Sequence, residues 1–233
     1  MFCVSRCELR NLADRVLRYY KTNKGIHSNN YTMDIEALAE MLGYHVQNID
    51  LGEDADIMGF TAFYPAHLDL EDQNGLAVSI VVDEKTIILN GSIKETCVGR
   101  YYFTLAHEVA HLILDMVYHL GYRVRYRSKP KVISNGSKYH SVDYEEHIAD
   151  VLASYLLMPE VPLRLMFKES FKCSRVDIIT SYEHSELYSK FCRIAEHFSV
   201  SREALSIRLQ QTGMLGKYYS YQHQSKIDIF PVA

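Results

Sequence analysis

Tyr101-Tyr102-Phe103-Thr104-Leu105-Ala106-His107-Glu108-Val109-Ala110-His111-Leu112-Ile113-Leu114-Asp115 reads as a helix that is apolar on nearly every side, interrupted by His107, Glu108, His111 and Asp115. Such a helix belongs inside a protein, with other elements packed around it. Its polar residues then need partners, because an unsatisfied buried polar or charged group costs on the order of several kcal/mol. Residues four apart differ by about 40° around a helix axis and one turn along it, so the imidazoles of His107 and His111 can reach one metal ion. Glu108 is rotated about 100° from His107, aside from the ligand pair and placed to touch a water on the metal. The pattern is H-E-x-x-H, and it predicts zinc on His107 and His111 with Glu108 as general base.

A catalytic zinc takes three protein ligands and keeps a fourth position for water. The next apolar helix, Tyr144-Glu145-Glu146-His147-Ile148-Ala149-Asp150-Val151-Leu152-Ala153, offers Glu145, Glu146, His147 and Asp150. Glu146 and Asp150 lie one turn apart on a face that continues through Ala153 and Leu157, and Glu145 points elsewhere. This permits Glu146 to bind the metal while Asp150 accepts a hydrogen bond from a ligand histidine and fixes its tautomer. Ala106 and Ala110 on one helix, with Ala149 and Ala153 on the other, let the two backbones approach closely. The expected chemistry is attack of an activated water on a peptide carbonyl, Glu108 carrying the proton to the leaving amine. Tyr139, His140 and Tyr144, just before or at the start of the second helix, are candidates to stabilise the oxyanion, and a structural role is favoured for each.

Toward the N-terminus, helical spacing over residues 7–21 ends at Gly25, and a second helix runs from an Asp34 or Thr32 cap to Gly43. Segments 44–51, 57–64, 75–82 and 86–90 are rich in Val, Ile, Phe and Tyr and read as strands. Asp83-Glu84-Lys85 predicts a hairpin joining the last two. Toward the C-terminus, residues 121–142 are basic and tyrosine-rich and read as a surface loop or small hairpin. Pro159 ends the second site helix, and further helices are expected near 161–170, 184–198 and 201–212, followed by a polar tail.

The 233 residues are 48% hydrophobic and 23% charged, enough for a substantial core. A net charge of -4 gives no global pull toward nucleic acid. No apolar run suits a signal peptide or a membrane helix. Five cysteines, Cys3, Cys7, Cys97, Cys173 and Cys192, lack the density of a disulfide scaffold, so the thiols are expected reduced and the protein cytoplasmic. Cys3 and Cys7, four apart, are read as free thiols rather than a metal or redox pair.

Two blocks in order, residues 100–112 around His107-Glu108-Val109-Ala110-His111 and residues 146–159 ending in Leu156-Leu157-Met158-Pro159, resemble the ImmA/IrrE family of metallo-endopeptidases. The resemblance extends over most of residues 30–212. It implies His107, His111 and Glu146 as zinc ligands and Glu108 as the catalytic residue. It also implies a protein substrate, a helix-turn-helix transcriptional repressor, often one encoded on the same mobile element or prophage. The long basic insert between His111 and Glu146 departs from the family pattern and bears on substrate access.

The expected architecture is α+β: a small, mostly antiparallel sheet packed on a helical zincin-like core. A metallopeptidase domain over 1–160 is followed by a helical C-terminal subdomain over 161–233. Residues 194–209 read as helix, turn at Ser199-Val200-Ser201, then helix, which looks like a DNA-reading helix-turn-helix. Arg202 and Arg208 are its cations, Glu203 opposes them, and packing on the catalytic part is favoured over DNA binding. The basic run Arg123, Arg125, Arg127, Lys129 and Lys131 reads as a solvated loop. The rival functional reading is a metal-stabilised regulator that binds DNA or protein without cleaving it.

Overall fold

The computed structural model describes residues 3–50, 57–71, 77–121, 124–128, 141–177 and 186–216. The first helix, α1 (Arg6–Lys24), starts in a capping box. The Ser5 hydroxyl accepts from the Glu8 backbone N–H, and the Glu8 carboxylate accepts from the Ser5 N–H at 2.7 Å. It stops at Gly25, whose φ of 64° places it in the left-handed region where glycine carries no penalty. Asp34 caps α2 (Ile35–Met41) through the Ala37 N–H.

Five strands follow: β1 (His45–Ile49), β2 (Ile57–Ala62), β3 (Ala66–Glu71), β4 (Ala77–Val82) and β5 (Thr86–Asn90). After a short α3 (Ser92–Thr96) come the long α4 (Val98–Tyr118), β6 (Val124–Ser128) and α5 (Ser141–Leu157). The described chain closes with α6 (Glu160–Phe171), α7 (Glu186–His197) and α8 (Arg202–Gln211). The class is α+β.

The main sheet has the order β1-β5-β2-β6, with β1 parallel to β5 and the other pairings antiparallel. β3 and β4 form a separate antiparallel ribbon. The expected hairpin of β4 with β5 is therefore not what forms: both sides of β5 are taken, by β1 and β2, and β4 pairs with β3. The chain crosses from ribbon to sheet through Lys85 at a φ of 58°. Every residue of β5 is buried, as for a central strand covered on both faces. On one face Phe60, Ala62 and Ile88 cluster with Val82 and Ile80 of the ribbon. On the other, Ile87 and Leu89 join the core that surrounds α4.

That core runs without a break from α1 and α2 through α4 and α5 into α6, α7 and α8. α4 is buried continuously from Thr104 to Leu114, as its composition requires. Ala106, Ala110, Ala149 and Ala153 are all fully buried where α4 and α5 pack together. Part of the basic segment adds a strand rather than a loop, since β6 pairs with β2. Arg123, Lys129 and Lys131 lie outside the described residues. Among the described residues no helix is long and apolar enough to cross a membrane.

Candidate metal centre

Burial forces the polar groups of α4 toward one another and toward α5. His107 and His111 are 1% exposed and Glu108 is fully buried. The ring nitrogens His107 Nε2 and His111 Nε2 lie 3.0 Å apart. Glu146, reaching across from α5, puts Oε2 3.0 Å from His107 Nε2 and Oε1 3.3 Å from His111 Nε2. These are the three potential donors that converge among the described residues.

The tautomer follows from the fourth member. Oδ1 of Asp150 lies 2.8 Å from His107 Nδ1, and an ionised carboxylate only accepts, so Nδ1–H donates to it. In neutral His107 the remaining nitrogen, Nε2, then carries a lone pair aimed at a carboxylate oxygen and at a second imidazole nitrogen. Lone pairs converging at such distances call for a cation between them. Ligands at roughly 2.0–2.1 Å from a tetrahedral ion are separated by about 3.3 Å, close to the 3.0, 3.0 and 3.3 Å found here. Two imidazoles and a carboxylate, with a carboxylate behind one imidazole, thus fit a divalent metal of the borderline kind.

Electrostatics point the same way. Burial pushes the Glu146 carboxyl up, but the imidazoles of His107 and His111 beside it outweigh burial and hold the group well below the usual carboxylate range. Glu146 is therefore an anion at neutral pH. Its side chain is 33% exposed and that of Asp150 45%, so the cluster is sealed by α4 and meets solvent along α5.

Glu108 is held from the sheet side, where Thr61 Oγ1 of β2 donates to its Oε2 at 2.8 Å. Thr61 is itself fully buried. Its one signal in the sequence is that it is a threonine in an otherwise apolar strand. Tyr144 does not face the centre: its hydroxyl accepts from the Val4 N–H at 2.8 Å and donates to the Val4 carbonyl at 2.9 Å, tying α5 to the start of α1. Tyr139 and His140 lie outside the described residues.

Behind the centre, α8 closes the core. Arg208 is 4% exposed, donates through Nε to the Met158 carbonyl at 3.1 Å and stacks over the Tyr155 ring at 4.3 Å. Arg202 reaches the Tyr188 hydroxyl at 2.6 Å. α8, the second helix of the helix-turn-helix-like pair, thus spends one of its two arginines inside the protein. Gly99, in the first turn of α4, fits against the turn between them: a Cβ there would lie 2.7 Å from the Ser201 nitrogen and 2.8 Å from the Val200 carbonyl carbon.

An α+β fold that buries H-E-x-x-H in a helix against an acidic partner helix defines a metallopeptidase class of site. The model of the IrrE N-terminal-like domain, Peptidase M78, matches residues 66–210, and the chain belongs to this family. The matched span contains both α4 and α5. A solved structure described as a Mycobacterium tuberculosis transcriptional regulator is similar at 13% identity with a TM-score of 0.43. The alignment covers 87% of this chain and 50% of that one, so this chain spans about half that protein's length. No curated protein sequence matches.

Proposed function

We propose that the protein is a zinc-dependent endopeptidase that hydrolyses a peptide bond in a regulatory protein. The observation that carries this reading is the near-tetrahedral spacing of His107, His111 and Glu146, with Glu108 one residue along the same buried helix. A bound zinc ion would supply Lewis acidity and bring the pKa of a water toward roughly 7. His107, His111 and Glu146 hold the ion in this reading, and Asp150 keeps His107 in the tautomer that presents Nε2. Glu108 takes the proton from the attacking water and returns it to the departing amine. The zincin-like core over 1–160 carries the chemistry in this reading, and α6, α7 and α8 brace it. Five free thiols support a cytoplasmic setting.

The substrate is a helix-turn-helix transcriptional repressor, of the kind encoded on mobile elements and prophages. Support for this comes from the family resemblance. Inward-facing Arg208 weighs against α8 reading DNA.

The test incubates zinc-loaded wild type and Glu108→Gln with a proteome-derived peptide library and with the helix-turn-helix repressor encoded beside the gene. Wild type is expected to cut, and Glu108→Gln to bind zinc without cutting. Cleavage undiminished in Glu108→Gln, or a zinc-loaded wild type that leaves both probes intact, would overturn the proposal; the second result would favour regulation by binding alone.

A further inference from the structure

The contact between β2 and α4 repeats along both elements. Two residues of a strand advance by roughly 6.6 Å, and four residues of a helix by about 6 Å. Gly59 and Thr61 on β2 therefore keep step with Thr104 and Glu108 on α4. At the first rung, a Cβ on Gly59 would lie 2.8 Å from Thr104 Cγ2 and 2.9 Å from Leu89 Cδ2, so the missing side chain lets the helix press onto the sheet. At the second rung, the closeness set by the first brings Thr61 Oγ1 within 2.8 Å of Glu108 Oε2.

Thr61 is well suited to hold a carboxylate still. Its backbone is fixed from both sides, paired with Ile87 of β5 and Arg125 of β6. Its β-branched side chain has few χ1 choices. Both partners are fully buried, where a hydrogen bond is electrostatically stronger than one at the surface.

We propose that Thr61 is a positioning residue for the hydrolytic reaction: its hydroxyl, anchored in β2, sets the direction in which the Glu108 carboxylate faces the metal centre. This rests on the peptidase reading above. A general base must sit within hydrogen-bond reach of the proton it takes, and a misplacement of about 1 Å costs on the order of 10²-fold in rate. Thr61→Val keeps the shape and β-branching and removes the donor. Thr61→Ser keeps the donor.

The experiment has two independent readouts. In crystal structures of the zinc-loaded variants, the Glu108 carboxylate is expected to rotate away from its present direction in Thr61→Val and to hold it in Thr61→Ser. With the best-cut peptide of the library, Thr61→Val is expected to lose about 10²-fold in kcat with KM within about threefold. Its zinc stoichiometry should stay that of wild type, and Thr61→Ser should recover most of the loss. In a Glu108→Gln background Thr61→Val should change residual turnover no further. An unmoved Glu108 in crystals of Thr61→Val overturns the proposal whether or not any peptide is cut. So does a fall in melting temperature with kcat kept, which is the signature of a purely structural hydroxyl. A wild type that cuts nothing, with Glu108 rotated in Thr61→Val, would instead sink the peptidase reading and leave the positioning contact standing.

Discussion

Asp150 Oδ1 and His107 Nδ1 lie 2.8 Å apart across the packed faces of α4 and α5. One carboxylate on α5 thereby decides which nitrogen of a buried imidazole on α4 faces Glu146.

Replacing Asp150 with Ala removes that decision without opening the core, because the side chain is nearly half exposed. Metal affinity is expected to fall about 10–100-fold, with the fold retained. Competitive titration against a chromophoric chelator measures it, and an unchanged affinity would remove Asp150 from the site. Asp150→Asn should do less damage, since its amide oxygen can still accept.

Metal removal should act through Glu146. In the metal-free protein its carboxyl is held below the usual value, so the stability it contributes is fully present above the unfolded value of about 4.3. That contribution is lost as pH falls below this point and through the lower folded value. Thermal melts of metal-free wild type and Glu146→Gln should therefore differ at neutral pH and converge in acid. Metal uptake should release protons, because the donors bind in deprotonated form. Calorimetry in buffers of different ionisation enthalpy reads this directly, and an identical heat in all of them would contradict it.

Gly59→Ala should be costly out of proportion to one methyl group. The new Cβ meets Thr104 Cγ2 on a stiff side chain, and overpacking of this kind costs about 1–3 kcal/mol. Denaturant midpoints at an unchanged slope measure the loss. A neutral substitution would mean that α4 can ride further from the sheet than its contacts suggest.

Arg208→Met keeps the stem and removes a buried donor to the Met158 carbonyl and the cation above Tyr155. The expected cost is about 1–3 kcal/mol. A variant as stable as wild type would show that the arginine sits there for another reason, and nucleic-acid binding by α8 would then merit direct measurement.

Much of the centre was legible because its signals are local. Four-residue spacing places His107 beside His111, and a second four-residue spacing places Glu146 beside Asp150; both follow from helix geometry alone. Helix boundaries at Gly25 and Asp34 are equally local, since capping involves neighbours in sequence. What failed was pairing across distance. The turn at residues 83–85 suggests a hairpin, yet the partner of β4 is β3, whose signal is the alternation His67-Leu68-Asp69-Leu70-Glu71. β6 sits in a basic segment whose composition resembles a loop, and only β2 makes it a strand. Thr61 was invisible for the same reason: its meaning comes from a contact 47 residues away.

Gly99 also constrains how such a chain can be recombined. Because a methyl group there would collide with the backbone at Val200 and Ser201, the opening turn of the histidine helix and the corner between the last two helices must be inherited as a matched set. A graft exchanging the final seventy residues with a relative would succeed only if the donor's corner leaves the same notch for that glycine. Trading C-terminal pieces between relatives is thus restricted from within the opening turn of α4.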